Sequence, residues 1–138
     1  MPTKNVPINI FYYYCPKDRP LGRQLTAQLS ILERRGEITS WHNGLLQPGE
    51  NIHKATISKI ESADIILLLV SADFLDCEMC PLIEKSAGLR LAQKSKPVRV
   101  IPVILRPCDW QAVEFIRPFN SLPKSQDGMA KAVTTWVN

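Results

Sequence analysis

The chain has 138 residues, of which 45% are hydrophobic and 22% charged, and a formal net charge of +4. That is the length of one ordinary domain with a real core and the composition of a soluble globular protein, and no segment has the length of a membrane span or the layout of a signal peptide. The basic residues Lys17, Arg19, Arg23, Arg34, Arg35, Lys94, Lys96 and Arg99 are scattered rather than striped, and aromatics do not interleave them, so neither nucleic acid nor a membrane is expected as a partner. Cys15, Cys77, Cys80 and Cys108 fit a reducing compartment, and a cytoplasmic location is expected.

Taken in order, Val6 to Tyr14 is apolar with a two-residue period and predicts a first strand, ended by the turn formers Pro16-Lys17-Asp18. Leu21, Leu25, Leu29 and Leu32 then recur at helical spacing, and Gly36 stops that helix after a basic pair. Ile38 to Trp41 is a short strand. His42 to Glu50 forms a loop in which Gly44 and Pro48-Gly49 permit tight turns, yet Leu45 and Leu46 place apolar side chains at its tip, which suggests a contact surface. A second helix carries Ile52, Thr56 and Ile60 at four-residue steps.

The run Asp64-Ile65-Ile66-Leu67-Leu68-Leu69-Val70 is too uniformly apolar for a half-exposed strand and predicts a third strand buried on both faces, as in parallel sheets. It breaks at Ser71-Ala72-Asp73. Pro81 suits a helix first turn, so a third helix is expected from near Cys80 towards Gln93, with Pro97 beyond its end. Val98 to Leu105 is a fourth strand; Arg106 to Gly128 is irregular, and Ala132 to Trp136 reads as a short fifth strand. The alternation predicts an α/β domain over residues 1–138, a parallel sheet with helices on both faces. No helix follows the last strand, so a fragment of a longer chain with its final helix missing is expected. In open sheets of this kind ligands bind outside the carboxyl ends of the strands, which puts Glu84, early in the third helix, where a substrate would lie.

The sequence resembles a Toll/interleukin-1 receptor (TIR) domain, most closely the bacterial type. The resemblance rests on Ile8-Asn9-Ile10-Phe11, on Tyr14-Cys15-Pro16-Lys17-Asp18, and on Trp41-His42-Asn43 with Gln47-Pro48-Gly49-Glu50. It continues through Ala63 to Leu75, Cys80 with Glu84, and Val100 to Trp110. Met79 stands where an aromatic usually precedes the cysteine, and Asn43 where an aspartate usually follows Trp-His. The resemblance implies a flavodoxin-like three-layer sandwich with five parallel strands in the order 2-1-3-4-5. It also implies hydrolysis or cyclisation of NAD+ with release of nicotinamide, in an effector of bacterial immunity or signalling. The family's catalytic glutamate maps to Glu84. Head-to-tail stacking of such domains moves the loop at 42–50 and completes the site, so other TIR domains are the implied partners, through Leu45, Leu46, Gln47, Pro48 and Gly49.

Cleaving the nicotinamide–ribose bond leaves an oxocarbenium-like sugar, and a fixed carboxylate beside it stabilises the charge where it develops. Nicotinamide leaves as a neutral molecule, so one carboxylate suffices. The positive end of a helix favours the ionised form of Glu84. Around it, Tyr14, Cys15, Lys17, Arg19, Trp41, Asn43, Ser71 and Cys80 are the expected substrate-binding set. Tyr14 has two readings, a ring facing nicotinamide or adenine, or a core tyrosine. Lys17, Arg19 and Arg23 either pair with a pyrophosphate or form a solvated face. Trp41 reads as packing before ligand contact, and Ser71 as a turn former. Cys77-Glu78-Met79-Cys80 lacks the second ligand pair a zinc site wants, and no metal is expected. No Gly-rich phosphate loop follows the first strand, so NAD+ enters as substrate and no cofactor is expected. The alternative is a non-catalytic TIR–TIR scaffold. A phosphorelay receiver is disfavoured because the first strand ends in Tyr12-Tyr13-Tyr14 rather than in acids.

Overall fold

In a computed structural model the structure describes residues 6–93 and 95–105. The order is β1 (Ile8–Tyr13), α1 (Arg19–Arg34), β2 (Ile38–His42), α2 (Ile52–Ser62), β3 (Ile65–Val70), α3 (Ala72–Leu75), α4 (Met79–Ala92) and β4 (Arg99–Ile104), with single 3-10 turns at Pro16–Asp18 and Asn43–Leu45. The strands form one parallel sheet in the order β2-β1-β3-β4. The expected fifth strand and the stretch that leads to it lie outside the described residues.

The uniformly apolar run forms β3, hydrogen-bonded on both sides. Its Ile66, Leu68, Leu69 and Val70 are almost wholly buried, because helices cover both faces of the sheet. On one face Phe11, Tyr13 and Cys15 pack with Ile60 of α2, with Ala63 just beyond its end, and with Met79, Cys80, Ile83 and Ala87 of α4. On the other, Tyr12 and Tyr14 meet Leu21, Leu25 and Leu29 of α1. Side chains alternate across a strand, so neighbours in the Tyr12-Tyr13-Tyr14-Cys15 run belong to opposite cores. The pairing of β1 with β2 repeats that division: Phe11 stacks on Trp41 at 5.7 Å on the α2 face, and Tyr12 on His42 at 4.8 Å on the α1 face.

Helix α1 stops as its sequence predicts. Gly36 takes φ +74°, and the Glu37 amide reaches back to the Leu32 carbonyl at 3.1 Å, satisfying the open end of the helix. The expected third helix is the fourth, because Ala72–Leu75 forms a turn of its own, with Ser71 as its N-cap accepting from the Phe74 amide at 3.1 Å. Since α4 begins at Met79, Glu84 lies in its second turn. The helix-end field fades within the first turn, so that field contributes little to Glu84.

Met79, Cys80, Ile83, Ser86, Ala87 and Arg90 are all buried along α4, which makes it a core helix. Arg90 has no carboxylate partner among the described residues. Its guanidinium instead donates to the carbonyls of Ile60 at 3.2 Å, of Ala63 and of Lys96. Two of these acceptors lie where α2 ends and hands over to β3, so one buried cation fixes that corner and neutralises the negative end of α2.

Candidate functional site

The chain leaves β1 towards α1 on one face and leaves β3 towards α3 and α4 on the other. The carboxyl ends of these neighbouring strands therefore border a crevice, the usual ligand position in such sheets. Its floor is tied by Asp18 and Ser71, both almost fully buried: the Ser71 hydroxyl donates to the Asp18 carboxylate, and the Asp18 amide donates to the Cys15 carbonyl at 2.7 Å. Ser71 thus spends its hydroxyl on the strut and the cap of α3. The sequence signalled Asp18 as a turn former and as the end of the Tyr14-to-Asp18 box, not as a buried strut.

On the α2/α4 side stands Glu84, half-buried and in no ion pair among the described residues. Its contact is with Cys80 one turn earlier, whose thiol donates to Glu84 Oε1 across 3.8 Å. Burial, with the carboxylate beside it, pushes the Cys80 thiol up to about 12, so it stays a neutral donor. Below lie Met79 in the core, Cys15, whose thiol is also raised chiefly by burial, and Cys77, 3.6 Å from the Tyr13 hydroxyl. Burial, reinforced by Cys77, raises the Tyr13 phenol as well. The thiol that touches the carboxylate is therefore neutral and does not compete with a cation for Glu84.

Trp41 is half-buried on the same face but lines a separate cavity of about 240 Å³ with Asn9, Thr39, Ser40 and Lys59. Asn9 and Thr39 lie towards the amino ends of β1 and β2, although Trp41 itself is near the carboxyl end of β2. Lys17 reaches Asp73 at 3.7 Å in an exposed pair, worth little in water.

Asn43 closes the end of the sheet. Its Oδ1 accepts from the Tyr14 amide at 3.3 Å and its Nδ2 donates to the Tyr14 carbonyl at 2.9 Å. An aspartate could accept but not donate, so asparagine is the residue this joint requires. The loop beyond is ordered by its own bonds, with the Gln47 amide on Glu50 Oε1 at 2.6 Å and Gly49 at φ +86°. Leu45 is 46% exposed, and Gln47, Pro48 and Gly49 are exposed around it.

Tyr14 and Arg19 lie with α1, across the sheet from Glu84. They border a second cleft of about 350 Å³, completed by Arg23, Thr26, His42 and Gly44. Here His42 is nearly buried between the rings of Tyr12 and Tyr14, and its Nδ1 accepts from the Gly44 amide at 3.0 Å. Burial lowers the pKa of the imidazole below its ordinary value, against a small opposing pull from Glu33. In the sequence His42 stood out as part of a loop and of the Trp41-His42-Asn43 box, and Gly44 only as a turn former; the stacking of His42 on tyrosines of another strand is a tertiary contact with no local pattern. The structure therefore unites Glu84 with Cys80, joins Asn43 to Tyr14, and divides the expected substrate set between two faces.

Comparison with known proteins adds three findings. The sequence profile of the family described as TIR domain matches residues 10–133. The chain is 41% identical over 128 residues to the uncharacterized protein y4lF of Sinorhizobium fredii, an alignment covering 93% of this chain and 38% of that protein. It thus spans less than half the length of that relative. Among solved structures it is similar to the TIR domain of the Toll-related receptor TRR-2 from Hydra magnipapillata, with 25% identity, a TM-score of 0.52, and coverage of 73% of this chain and 71% of that one.

Proposed function

Because the chain belongs to the TIR-domain family, we propose that it cleaves the nicotinamide–ribose bond of NAD+, as a glycohydrolase or cyclase, with Glu84 as the catalytic carboxylate. The observation that carries this reading is the state of Glu84: half-buried on α4, unpaired with any cation among the described residues, and held by a single soft thiol contact. A structural carboxylate in such a place would normally be paired or fully solvated.

In the mechanism, nicotinamide departs with the bonding electron pair and quenches its own pyridinium charge. Positive charge collects on the ribose, where the Glu84 carboxylate stabilises it. Water, or an atom of the adenine for a cyclic product, then attacks the sugar. Cys80 fixes the carboxylate's rotamer without titrating. The loop at 43–50, with Leu45 foremost, presents the apolar surface through which domains stack and exclude water from the crevice. On this reading the chain is an effector module within a longer protein.

The test is nicotinamide release from NAD+ by clustered protein. Removing one electrostatic contact of this kind costs on the order of 3 kcal/mol in the transition state, so Glu84→Ala and Glu84→Gln should lower turnover by at least about a hundredfold. Variants that turn over at the wild-type rate sink the assignment. A second reading, a non-catalytic scaffold, is favoured by the exposure of Leu45 on an ordered loop, and self-association without turnover would select it.

A further inference from the structure

We infer that the cleft on the α1 face is a second ligand site, one that binds the phosphoryl group of a small organic phosphate about the size of a nucleoside monophosphate. The cleft is built from two kinds of donor. Arg19 and Arg23 stand one turn apart on α1, exposed and in no ion pair or hydrogen bond among the described residues. Two guanidinium groups on one helix face suit the several oxygens of a phosphoryl group, which accept bidentate donors. Deeper in lie Tyr14, 4% exposed, and His42, 9% exposed. Nδ1 of His42 is committed to Gly44, which leaves Nε2 to carry the proton, and neither that group nor the Tyr14 hydroxyl has a partner among the described residues.

Neither atom is sealed from solvent, so both are available to a ligand. They border the same open space, beneath two unpaired cations. Gly44 keeps the space open: a Cβ there would fall 2.7 Å from the Tyr14 hydroxyl oxygen and 2.8 Å from His42 Nδ1. Thr26 adds no donor, because its hydroxyl already donates to the Gly22 carbonyl and accepts from Tyr12. The negative charge nearest the imidazole, Glu33, is engaged by the Ser40 hydroxyl at 2.7 Å. A volume of about 350 Å³ lies within the usual range of small-ligand pockets and exceeds what a bare phosphate fills. The site is independent of Glu84, which lies across the sheet.

The inference is tested by titrating the protein with AMP, adenosine and inorganic phosphate while following the amide NMR signals of Gly44 and of residues beside Glu84. AMP should shift the Gly44 signal. Adenosine and inorganic phosphate should each bind at least tenfold more weakly than AMP. Arg19→Gln with Arg23→Gln should cost at least tenfold in AMP affinity, and both residues are exposed, so the core is untouched. Tyr14→Phe should cost severalfold, and Glu84→Gln should bind AMP as the wild type does. The inference is overturned if AMP in the millimolar range leaves Gly44 unmoved, if the double arginine variant binds equally, or if inorganic phosphate matches AMP. Loss of binding in Glu84→Gln would place AMP in the Glu84 crevice and overturn it too, whereas failure of NAD+ turnover alone leaves it standing.

Discussion

At Asn43 a single amide donates to and accepts from the backbone of Tyr14. Each partner's chemistry dictates which end of the amide faces it. Asn43→Asp keeps the acceptor but sets a carboxylate against a carbonyl, losing one hydrogen bond and adding repulsion, which costs about 1–2 kcal/mol. Thermal unfolding should register a lower midpoint; an unchanged midpoint refutes the joint. Cys80 supports a second prediction at this scale. A thiol raised to about 12 is thiolate in only about one molecule in ten thousand at pH 8, against about one in ten at the ordinary value, and the thiolate is the reactive form. Alkylation of Cys80 in the native protein should therefore be at least about a thousandfold slower than in the unfolded chain, as read by mass spectrometry of the modified peptide. The sign runs with proton binding: a thiol pKa raised by folding favours the folded state below the ordinary pKa, and that support fades as the pH climbs above 9.

At the scale of elements, α4 is decisive because it delivers Glu84 from one face and buries most of the rest. Replacing Arg90 by Met removes the side-chain donor to the carbonyls of Ile60, Ala63 and Lys96, of which Ile60 keeps the Ala63 amide. With charged-donor bonds worth about 1.5–3 kcal/mol each and partial relaxation, the loss should be about 3 kcal/mol, or ~10 °C in the unfolding midpoint for a domain of this size. A shift below a few degrees would show that water replaces the guanidinium. The strands and the longer helices were legible in the sequence because their periods are local: the leucine spacing of α1 and the unbroken apolar run of β3. The extra turn α3 was not, since four residues carry no period, and its cap, Ser71, looks like any turn serine. Arg90 was illegible for a different reason. A basic residue near a helix end reads as solvated, and only the neighbouring α2 terminus turns it into a buried tie.

For the whole molecule, the governing fact is that the sheet separates two chemistries. Glu84 and its neighbour Cys80 occupy one side; Arg19, Arg23, Tyr14 and His42 occupy the other. Strand alternation makes that division readable in principle from Tyr14 and Cys15, yet a shared position at a strand end drew them into one expected site. Assembly belongs to this scale as well. Leu45→Glu should raise at least tenfold the concentration at which the protein self-associates, measured by light scattering, while leaving the unfolding midpoint unchanged; assembly at the wild-type concentration would remove the loop from the interface. A last consequence concerns inheritance. A Cβ on Gly22 would fall 2.6 Å from the Tyr14 ring, and one on Gly44 2.7 Å from its hydroxyl oxygen, so helix, strand end and loop meet around one phenol with no slack. In relatives of this chain the three positions should drift as a set: where either glycine has acquired a side chain, the residue matching Tyr14 should have shrunk, and a large ring beside a substituted glycine should be rare.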